Sequence, residues 1–289
     1  MILVTGVTGN FGKAAAHFLL QKGMNPNQIS VLVRDPKKVS GLKEKGIDVR
    51  IGDYNDYSSL LKAFRGIDKL LFVSGNDILN RQQQHLNVIK AAKEAGVKHI
   101  IYTSFSRKNE TVTNPLGIVA TAHIETDKAI KASGIPYTIL LNTLYADALP
   151  MFFGEKLLET GIFLPAGNGK VPYATRQDMA EVAATALMTD GHENKQYALS
   201  NTENYSMQDA ASILSEITGK EIHYSNPSVE DFISTLSNIG VPKEAIGGMV
   251  SFCEAIKTGE FETDRTDFER LLGRKPTSLK DYLKTIYNA

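Results

Sequence analysis

The chain alternates short apolar runs with segments whose apolar residues recur three or four positions apart. The apolar runs are rich in β-branched residues and lie at Ile2–Thr5, Ile29–Val33, Val49–Ile51, Leu70–Val73, His99–Tyr102 and Tyr137–Leu141. The segments with helical spacing lie between them, at Lys13–Gln21, Ser59–Phe64, Asn87–Ala95 and Ile124–Ala132. Buried strands that alternate with amphipathic helices predict an α/β fold with a doubly wound parallel sheet.

This regular alternation stops near Tyr145, where a stretch rich in proline and glycine begins. Beyond it, helical spacing returns at Met179–Met188, Met207–Glu216 and Val229–Ser237, and two short strands are predicted at Gln196–Leu199 and Ile222–Tyr224. We therefore expect two parts, a nucleotide-binding domain over 1–144 and a smaller α/β substrate-binding region over 145–289. Segments of the second part can cross back to the first.

Composition narrows the possible functions. The 289 residues include 32 Lys and Arg against 32 Asp and Glu, so no basic field favours nucleic acid or an anionic membrane. No apolar stretch is long enough to predict a membrane span. The lone Cys253 rules out an intramolecular disulfide, and the six histidines lack the spacing of metal ligands. We expect a cytoplasmic protein that has no metal site.

The most specific motif follows the first predicted strand. Gly6, Gly9 and Gly12 have the spacing G-x-x-G-x-x-G, and a helical segment comes directly after them. Such glycines allow a tight turn, close approach to a pyrophosphate and close packing of the helix on the sheet. The helix N-terminus supplies N–H donors and a positive dipole end. The motif predicts dinucleotide binding.

The end of the second strand bears on which dinucleotide is bound. A basic residue there suits the 2′-phosphate of NADPH, and an acidic residue suits the 2′-hydroxyl of NADH. The sequence has Arg34, followed by Asp35, and then Lys37 and Lys38. The planar fork of Arg34 matches a phosphate, which favours NADPH and leaves NADH possible.

Several motifs together carry a family resemblance. GVTGNFG at the start, VRDPKK at the second strand end, Gly52-Asp53-Tyr54, and the segment from His123 to Lys128 resemble the NmrA-like group of atypical short-chain dehydrogenases. Within that group the chain is most similar to the branch of bacterial quinone and triphenylmethane reductases. The resemblance covers nearly the whole chain. It implies a Rossmann fold with a small C-terminal substrate domain, NADPH as hydride donor, and a quinone or similar aromatic acceptor.

The resemblance also implies where the cofactor lies. It places the pyrophosphate on the glycine turn, the 2′-phosphate on Arg34, the adenine near Asp53 and Tyr54, and a ribose beside Ser74-Gly75-Asn76. The sixth strand would bring Asn142 and Thr143 beside the nicotinamide. The candidate cofactor residues are Gly6, Thr8, Gly9, Asn10, Phe11, Gly12, Arg34, Asp53, Tyr54, Ser74, Gly75, Asn76, Asn142 and Thr143.

The candidate catalytic residues are His123, Lys128, Asn142 and Tyr145. A standard short-chain dehydrogenase uses Tyr-x-x-x-Lys, but the residue four positions before Lys128 is Ile124. Proton transfer by that tyrosine is therefore impossible. Lys128 could still bind a ribose, and His123 could orient the substrate or cap a helix. Asn142 could donate to a carbonyl oxygen and Tyr145 could stack on a planar acceptor.

Two alternatives to a reductase stay open. A protein that binds NADP(H) without turnover and regulates a partner is equally compatible with the missing tyrosine. A nucleotide-sugar epimerase or reductase is disfavoured by it. His85 has the spacing of a hydrogen-bonded, half-buried helix residue rather than a proton donor. The apolar stretch over Ile246–Ile256 could pack on its own domain or form a homodimer.

Overall fold

The computed structural model describes residues 1–111 and 113–287. A parallel sheet forms the centre of the molecule, and its strand order is β3-β2-β1-β4-β5-β6-β8. Strands β7 and β9 form a separate parallel pair. The strands are β1 Ile2–Val4, β2 Ile29–Val33, β3 Asp48–Ile51, β4 Lys69–Phe72, β5 His99–Phe105, β6 Tyr137–Asn142, β7 Ile162–Phe163, β8 Lys195–Leu199 and β9 Tyr224–Ser225.

Helices cover both faces of the sheet and build the C-terminal part. They are α1 Asn10–Gln21, α2 Ser40–Glu44, α3 Tyr57–Ala63, α4 Arg81–Glu94, α5 Ile118–Ala132, α6 Leu149–Phe153, α7 Leu157–Thr160, α8 Arg176–Met188, α9 Met207–Thr218, α10 Val229–Asn238, α11 Lys243–Lys257, α12 Phe268–Leu272 and α13 Leu279–Tyr287. One face of the sheet carries α1, α8 and α12, and the other carries α3, α4 and α5. This three-layer arrangement is the Rossmann fold expected from the sequence.

The sheet changes winding direction between β1 and β4. The chain first builds outward through β2 and β3, then returns to place β4 on the other side of β1. Ligands of doubly wound sheets bind at such a switch, outside the carboxyl ends of the strands. Thr5 fixes these ends together, because its Oγ1 accepts from Val73 N at 2.9 Å and donates to Leu71 O at 3.1 Å.

The part of the chain after residue 144 contributes to two cores. Strand β8 pairs with β6, and α8 packs against α1, so both belong to the sheet layer. Residues of α9, α10, α11 and α13, together with the strand pair β7–β9, form a second hydrophobic core. The division at residue 144 stays a prediction, since the segment after it is shared between these cores.

Several predicted boundaries were wrong. Helix α1 begins at Asn10 rather than Lys13, because Gly9 is its N-cap. Helix α4 begins at Arg81, six residues before the predicted start, since a polar first turn hides the helical pattern. The strand predicted at Ile222–Tyr224 is the shorter Tyr224–Ser225. Strand β3 is an edge strand rather than a buried one, and its Ile51 is 62% exposed.

Helix α11 packs within the C-terminal part of the chain. In the apolar stretch Ile246–Ile256, which could pack on its own domain or on a partner, Ile246, Cys253, Ala255 and Ile256 are buried in the C-terminal core, and Met249, Val250 and Phe252 pack against it partly buried. Among the residues that the structure describes, no helix is long and apolar enough to cross a bilayer.

Candidate active site

A cleft of about 640 Å³ lies at the carboxyl ends of strands β1 to β5. Thirteen of the residues predicted from the sequence line it: Gly6, Thr8, Gly9, Asn10, Phe11, Gly12, Arg34, Asp53, Tyr54, Ser74, Gly75, Asn76 and Tyr145. The wall also contains Leu32, Val33, Gly52, Asn55, Val73, Asp77, Arg81, Gln84, Thr103 and Arg176, which the sequence analysis did not select. The remaining candidates, Asn142, Thr143, His123 and Lys128, lie off the wall.

The glycine turn has the geometry that its spacing suggested. Gly6 has a φ of +66°, and a Cβ there would lie 3.1 Å from the Val73 side chain. A Cβ on Gly12 would lie 2.5 Å from the Gly6 carbonyl and 2.6 Å from the Thr5 oxygen, so only glycine lets α1 approach β1. A Cβ on Gly9 would meet only the Gly6 oxygen, at 3.4 Å. Gly6 and Gly12 therefore each have a steric reason, whereas a Cβ at Gly9 would make only an ordinary van der Waals contact with the protein.

The start of α1 also faces the cleft, and no acidic side chain of its first turn would compete with a bound phosphate. Its N-cap, Gly9, has no side chain to accept from the first N–H groups, and the first turn contains no acidic residue. Unpaired N–H groups and the positive end of the helix dipole attract phosphate. The turn thus fits the pyrophosphate of a dinucleotide.

The charges at the end of β2 also fit a phosphorylated ribose. Arg34 is exposed and lies on the cleft wall. Asp35 is absent from that wall, because its carboxylate accepts from Lys37 N at 3.0 Å and caps the short 3₁₀ helix Pro36–Val39. The acidic neighbour that would favour a free 2′-hydroxyl is therefore committed to a local turn.

Asp53 and Tyr54, which follow the neighbouring strand β3, also line this end of the cleft. The carboxylate of Asp53 accepts from the backbone N–H of Asn55 at 2.8 Å, which fixes the loop after β3. The hydroxyl of Tyr54 donates to Thr5 Oγ1 at 2.6 Å. Burial raises the pKa of this phenol, so Tyr54 is neutral and ties the wall to the end of β1.

His85 supports the wall from behind instead of facing the cleft. Its Nε2 accepts from Gly75 N at 3.0 Å, so Nδ1 carries the proton and donates to Thr126 Oγ1 at 2.8 Å. The side chain is fully buried rather than half-buried. Burial, with Arg81 nearby, lowers the pKa of His85 to about 3. This neutral histidine holds the Ser74–Asn76 loop in place.

The other end of the cleft is built around Tyr145. Its hydroxyl accepts from Asn142 Nδ2 at 3.1 Å, and the Arg176 guanidinium carbon lies 4.2 Å from the centre of its ring. Arg81, at the start of α4, lines the same end and is only 8% exposed. Neither arginine was selected as a site residue from the sequence. No motif marks Arg81, and Arg176 stands in Ala174-Thr175-Arg176, which is part of the family resemblance but gives the arginine no role.

Asn142 and Thr143 reach this end only indirectly. Both side chains are buried, and neither Asn142 Oδ1 nor Thr143 Oγ1 has a hydrogen-bond partner among the described residues. Asn142 acts on the cleft through the Tyr145 hydroxyl. A buried polar atom without a partner is costly, so these two atoms are an unfavourable element of the packing behind the cleft.

His123 lies one layer behind the cleft. Its Nε2 is 3.5 Å from Arg81, a donor, so Nδ1 carries the proton and donates to the Tyr102 hydroxyl at 2.7 Å. Burial and the nearby Arg81 lower the pKa of His123 well below its usual value. A neutral imidazole at this position orients Arg81, and its ring lies beside Phe105.

Lys128 does not reach the cleft. It is exposed on the outer side of α5, where its Nζ lies 2.9 Å from Glu125. The side of α5 that faces the sheet carries His123 and Asp127 instead, four residues apart. Asp127 forms a buried ion pair with Arg107 at 2.6 Å and accepts from Ser104 at 3.0 Å. The helix register therefore directs Lys128 to solvent.

The described residues contain no group of three or more His, Cys, Asp or Glu side chains placed to hold a metal ion. The cleft instead combines an uncapped helix N-terminus, a free arginine and an aromatic wall, which is a donor set suited to a dinucleotide and a planar second ligand.

Comparison with known proteins agrees with this geometry. The NmrA-like family matches residues 1–283. Quinone oxidoreductase 2 of Escherichia coli is 38% identical over 291 residues, which cover 100% of this chain and 99% of the relative. The crystal structure of Citrobacter sp. triphenylmethane reductase complexed with NADP(H) superposes with a TM-score of 0.90 at 39% identity, with 99% of each chain covered.

A second solved structure carries the same cofactor. The NADPH complex of the NADPH-dependent quinone oxidoreductase from Escherichia coli superposes with a TM-score of 0.91 at 35% identity, and the match covers 100% of both chains. Fold, cleft and full-length similarity therefore give one conclusion: the chain belongs to the NmrA-like family.

Proposed function

We propose that this protein is an NADPH-dependent reductase that transfers hydride to a quinone or a similar planar conjugated acceptor. The observation that carries the proposal is the composition of the cleft. One continuous space joins the Gly6–Gly12 turn and Arg34 to the Tyr145 wall. A cofactor that fills the first part directs its reactive ring toward the second.

The residues present fit NADPH. The turn and the start of α1 would hold the pyrophosphate, Arg34 the 2′-phosphate, and Asp53 with Tyr54 the adenine. The Ser74–Asn76 loop, held by His85, would border the ribose. When bound, this cofactor supplies the hydride, and the protein contributes position and electrostatics.

The acceptor end is suited to a flat molecule with a carbonyl group. Tyr145 offers its ring for contact, and its hydroxyl is already oriented by Asn142. Full-length similarity to a quinone oxidoreductase and to a triphenylmethane reductase supports acceptors of this kind. We further propose that the protein works in the cytoplasm, which accords with its single, buried and unpaired Cys253.

Oxidation of NADPH by the purified protein tests the proposal directly. Absorbance is followed with a panel of quinones and triphenylmethane dyes, and NADH is run alongside. We expect turnover with a marked preference for NADPH. Tight NADPH binding without turnover of any acceptor would contradict the reductase and support an NADP(H)-sensing regulator. Recovery of the protein with a bound nucleotide sugar would instead support an epimerase.

A further inference from the structure

Two arginines face the acceptor end of the cleft without carboxylate partners. Neither guanidinium forms an ion pair with an Asp or Glu of the described residues, and the carboxylate that attracts Arg81 from a greater distance is Asp77, which also lines the cleft. Arg81 is more than nine-tenths buried, and its Nε has no hydrogen-bond partner among the described residues. A buried guanidinium without an anion is unfavourable, so this arrangement is typical of a site that receives negative charge from a ligand.

The sheet order separates this end from the cofactor phosphates. Arg34 and the glycine turn follow β2 and β1, whereas Tyr145 follows β6, which lies on the other side of β4 and β5. Arg81 starts the helix after β4. The two arginines are therefore positioned for the second ligand rather than for the adenosine half of a dinucleotide.

The Tyr145 hydroxyl stands on a ring whose centre lies 4.2 Å from the Arg176 guanidinium carbon, and Arg81 lines the same cleft. It accepts a hydrogen bond from Asn142 Nδ2, and no described residue accepts the hydroxyl's own proton. Burial raises the pKa of Tyr145, and Asp147 adds to this effect. Asn142 from β6, Arg176 from α8 and Arg81 from α4 oppose it. Burial is the largest of these effects, so Tyr145 stays a protonated phenol at neutral pH and carries a proton that it can donate.

We propose that Tyr145 donates the proton that quinone reduction requires, and that Arg81 and Arg176 hold the oxyanion to which it is donated. This inference rests on the proposed function. Hydride from a reduced nicotinamide dinucleotide adds to the conjugated acceptor, and the electron pair of the carbonyl π bond moves to oxygen. That oxygen takes the Tyr145 proton, and solvent water returns a proton to the phenolate.

Quinones and triphenylmethane dyes differ in whether their reduction needs a proton. A triphenylmethane dye is a carbocation, so hydride addition gives a neutral product with no oxyanion and no proton uptake. Quinone reduction needs both the positive charges and the proton. The Tyr145 hydroxyl should therefore matter for quinones and be dispensable for the dyes.

The first experiment measures kcat of Tyr145→Phe with a neutral benzoquinone and with a triphenylmethane dye. Removal of the hydroxyl keeps the ring, and we expect kcat for the quinone to fall about tenfold to hundredfold, since a delocalised oxyanion also takes protons from water. The kcat for the dye should stay within about twofold. Tyr137→Phe, at the opposite end of β6, is the matched control. Equal loss for both acceptors, or no loss for the quinone, would overturn the assignment.

The second experiment tests the arginines without turnover. A nitrophenol mimics the oxyanion, and the yellow band of its phenolate reports its ionisation when bound. At a given pH, nitrophenol bound to the protein should have a higher phenolate-to-phenol ratio than free nitrophenol. Arg81→Gln and Arg176→Gln should each lower the phenolate-to-phenol ratio about tenfold, whereas Arg176→Lys should keep part of the shift.

Arg65→Gln, in the loop before β4 at the opposite edge of the sheet, is the control for loss of one positive charge. If Arg81→Gln fails to fold, the two Arg176 variants still decide the outcome. An unshifted nitrophenol spectrum in the unmodified protein would contradict the oxyanion site. If the protein raises the phenolate-to-phenol ratio of bound nitrophenol but reduces no acceptor, the oxyanion site is supported and the proposed reductase function is refuted.

Discussion

The two halves of the cleft are built in different ways. The half assigned to adenosine and phosphate uses Gly6–Gly12, Arg34 and Asp53, which directly follow the first three strands. The acceptor half combines Arg81, Thr103, Tyr145 and Arg176, which come from four widely separated segments. Backbone groups dominate the first half and side chains dominate the second. A local motif can thus specify binding of a common cofactor, while selectivity for an acceptor depends on long-range packing.

The largest effect should come from the glycine that joins α1 to β1. A methyl group at Gly12 would overlap the backbone of Gly6 and Thr5, at 2.5 and 2.6 Å. We expect Gly12→Ala to lower the free energy of unfolding by about 3 kcal/mol and to abolish NADPH binding, because the helix start must move away from the turn. Urea unfolding and calorimetric titration with NADPH measure both effects.

Gly41→Ala serves as the control, since a Cβ at Gly41 in α2 meets no atom within 4 Å. It should leave NADPH binding unchanged. A Gly12→Ala protein that binds NADPH normally would contradict the steric account of the first half of the cleft.

The second prediction concerns His85, which holds the Ser74–Asn76 loop in place between the two halves of the cleft. Unfolded histidine has a pKa near 6.5, whereas His85 in the folded protein has a pKa of about 3. Between these values the unfolded chain binds the additional proton, so the free energy of unfolding falls as pH decreases from about 6.5. This single residue contributes a slope of about 1.4 kcal/mol per pH unit.

His85→Gln should therefore flatten the dependence of the urea midpoint on pH between about 6.5 and 5, because glutamine can accept from Gly75 N without titrating. His17→Gln, at an exposed site on α1, should leave the dependence unchanged. A steep and unaltered profile in His85→Gln would show that other groups dominate the acid response.

The third prediction tests the cofactor preference of the adenosine half. Arg34→Gln removes the charge proposed for the 2′-phosphate, and a charged hydrogen bond of this kind is worth about 1.5–3 kcal/mol. We expect NADPH to bind about tenfold to hundredfold more weakly and NADH to bind as before, as measured by the fluorescence of each reduced cofactor. Lys45→Gln, an exposed residue at the end of α2, is the control. An equal loss for both cofactors would refute the assignment.

The smallest effect is expected at Lys128, outside both halves. Its ion pair with Glu125 is exposed, and such pairs contribute between about 0 and 1 kcal/mol. Lys128→Ala should change the free energy of unfolding by less than about 0.5 kcal/mol and leave the Kd for NADPH unaltered. A clear loss of cofactor affinity would restore Lys128 as a ribose ligand and extend the site beyond the cleft described above.

The sequence by itself determined the alternating α/β fold and the dinucleotide turn. Both depend on local pattern: buried parallel strands show as apolar runs, and the steric demands at Gly6 and Gly12 admit few other residues. Arg34 was also predictable, since it directly follows its strand. Thirteen predicted residues consequently share one wall.

Around the predicted Tyr145, only the tertiary structure decided the rest of the acceptor half. Arg81 lies in a polar first turn of α4 with no apolar periodicity, and Arg176 approaches Tyr145 only because α8 packs on the sheet near α1. The register of α5 turned His123 and Asp127 inward and Lys128 outward. Sequence pattern reports which face of an element is apolar, whereas the meeting of distant polar side chains follows from how the elements pack.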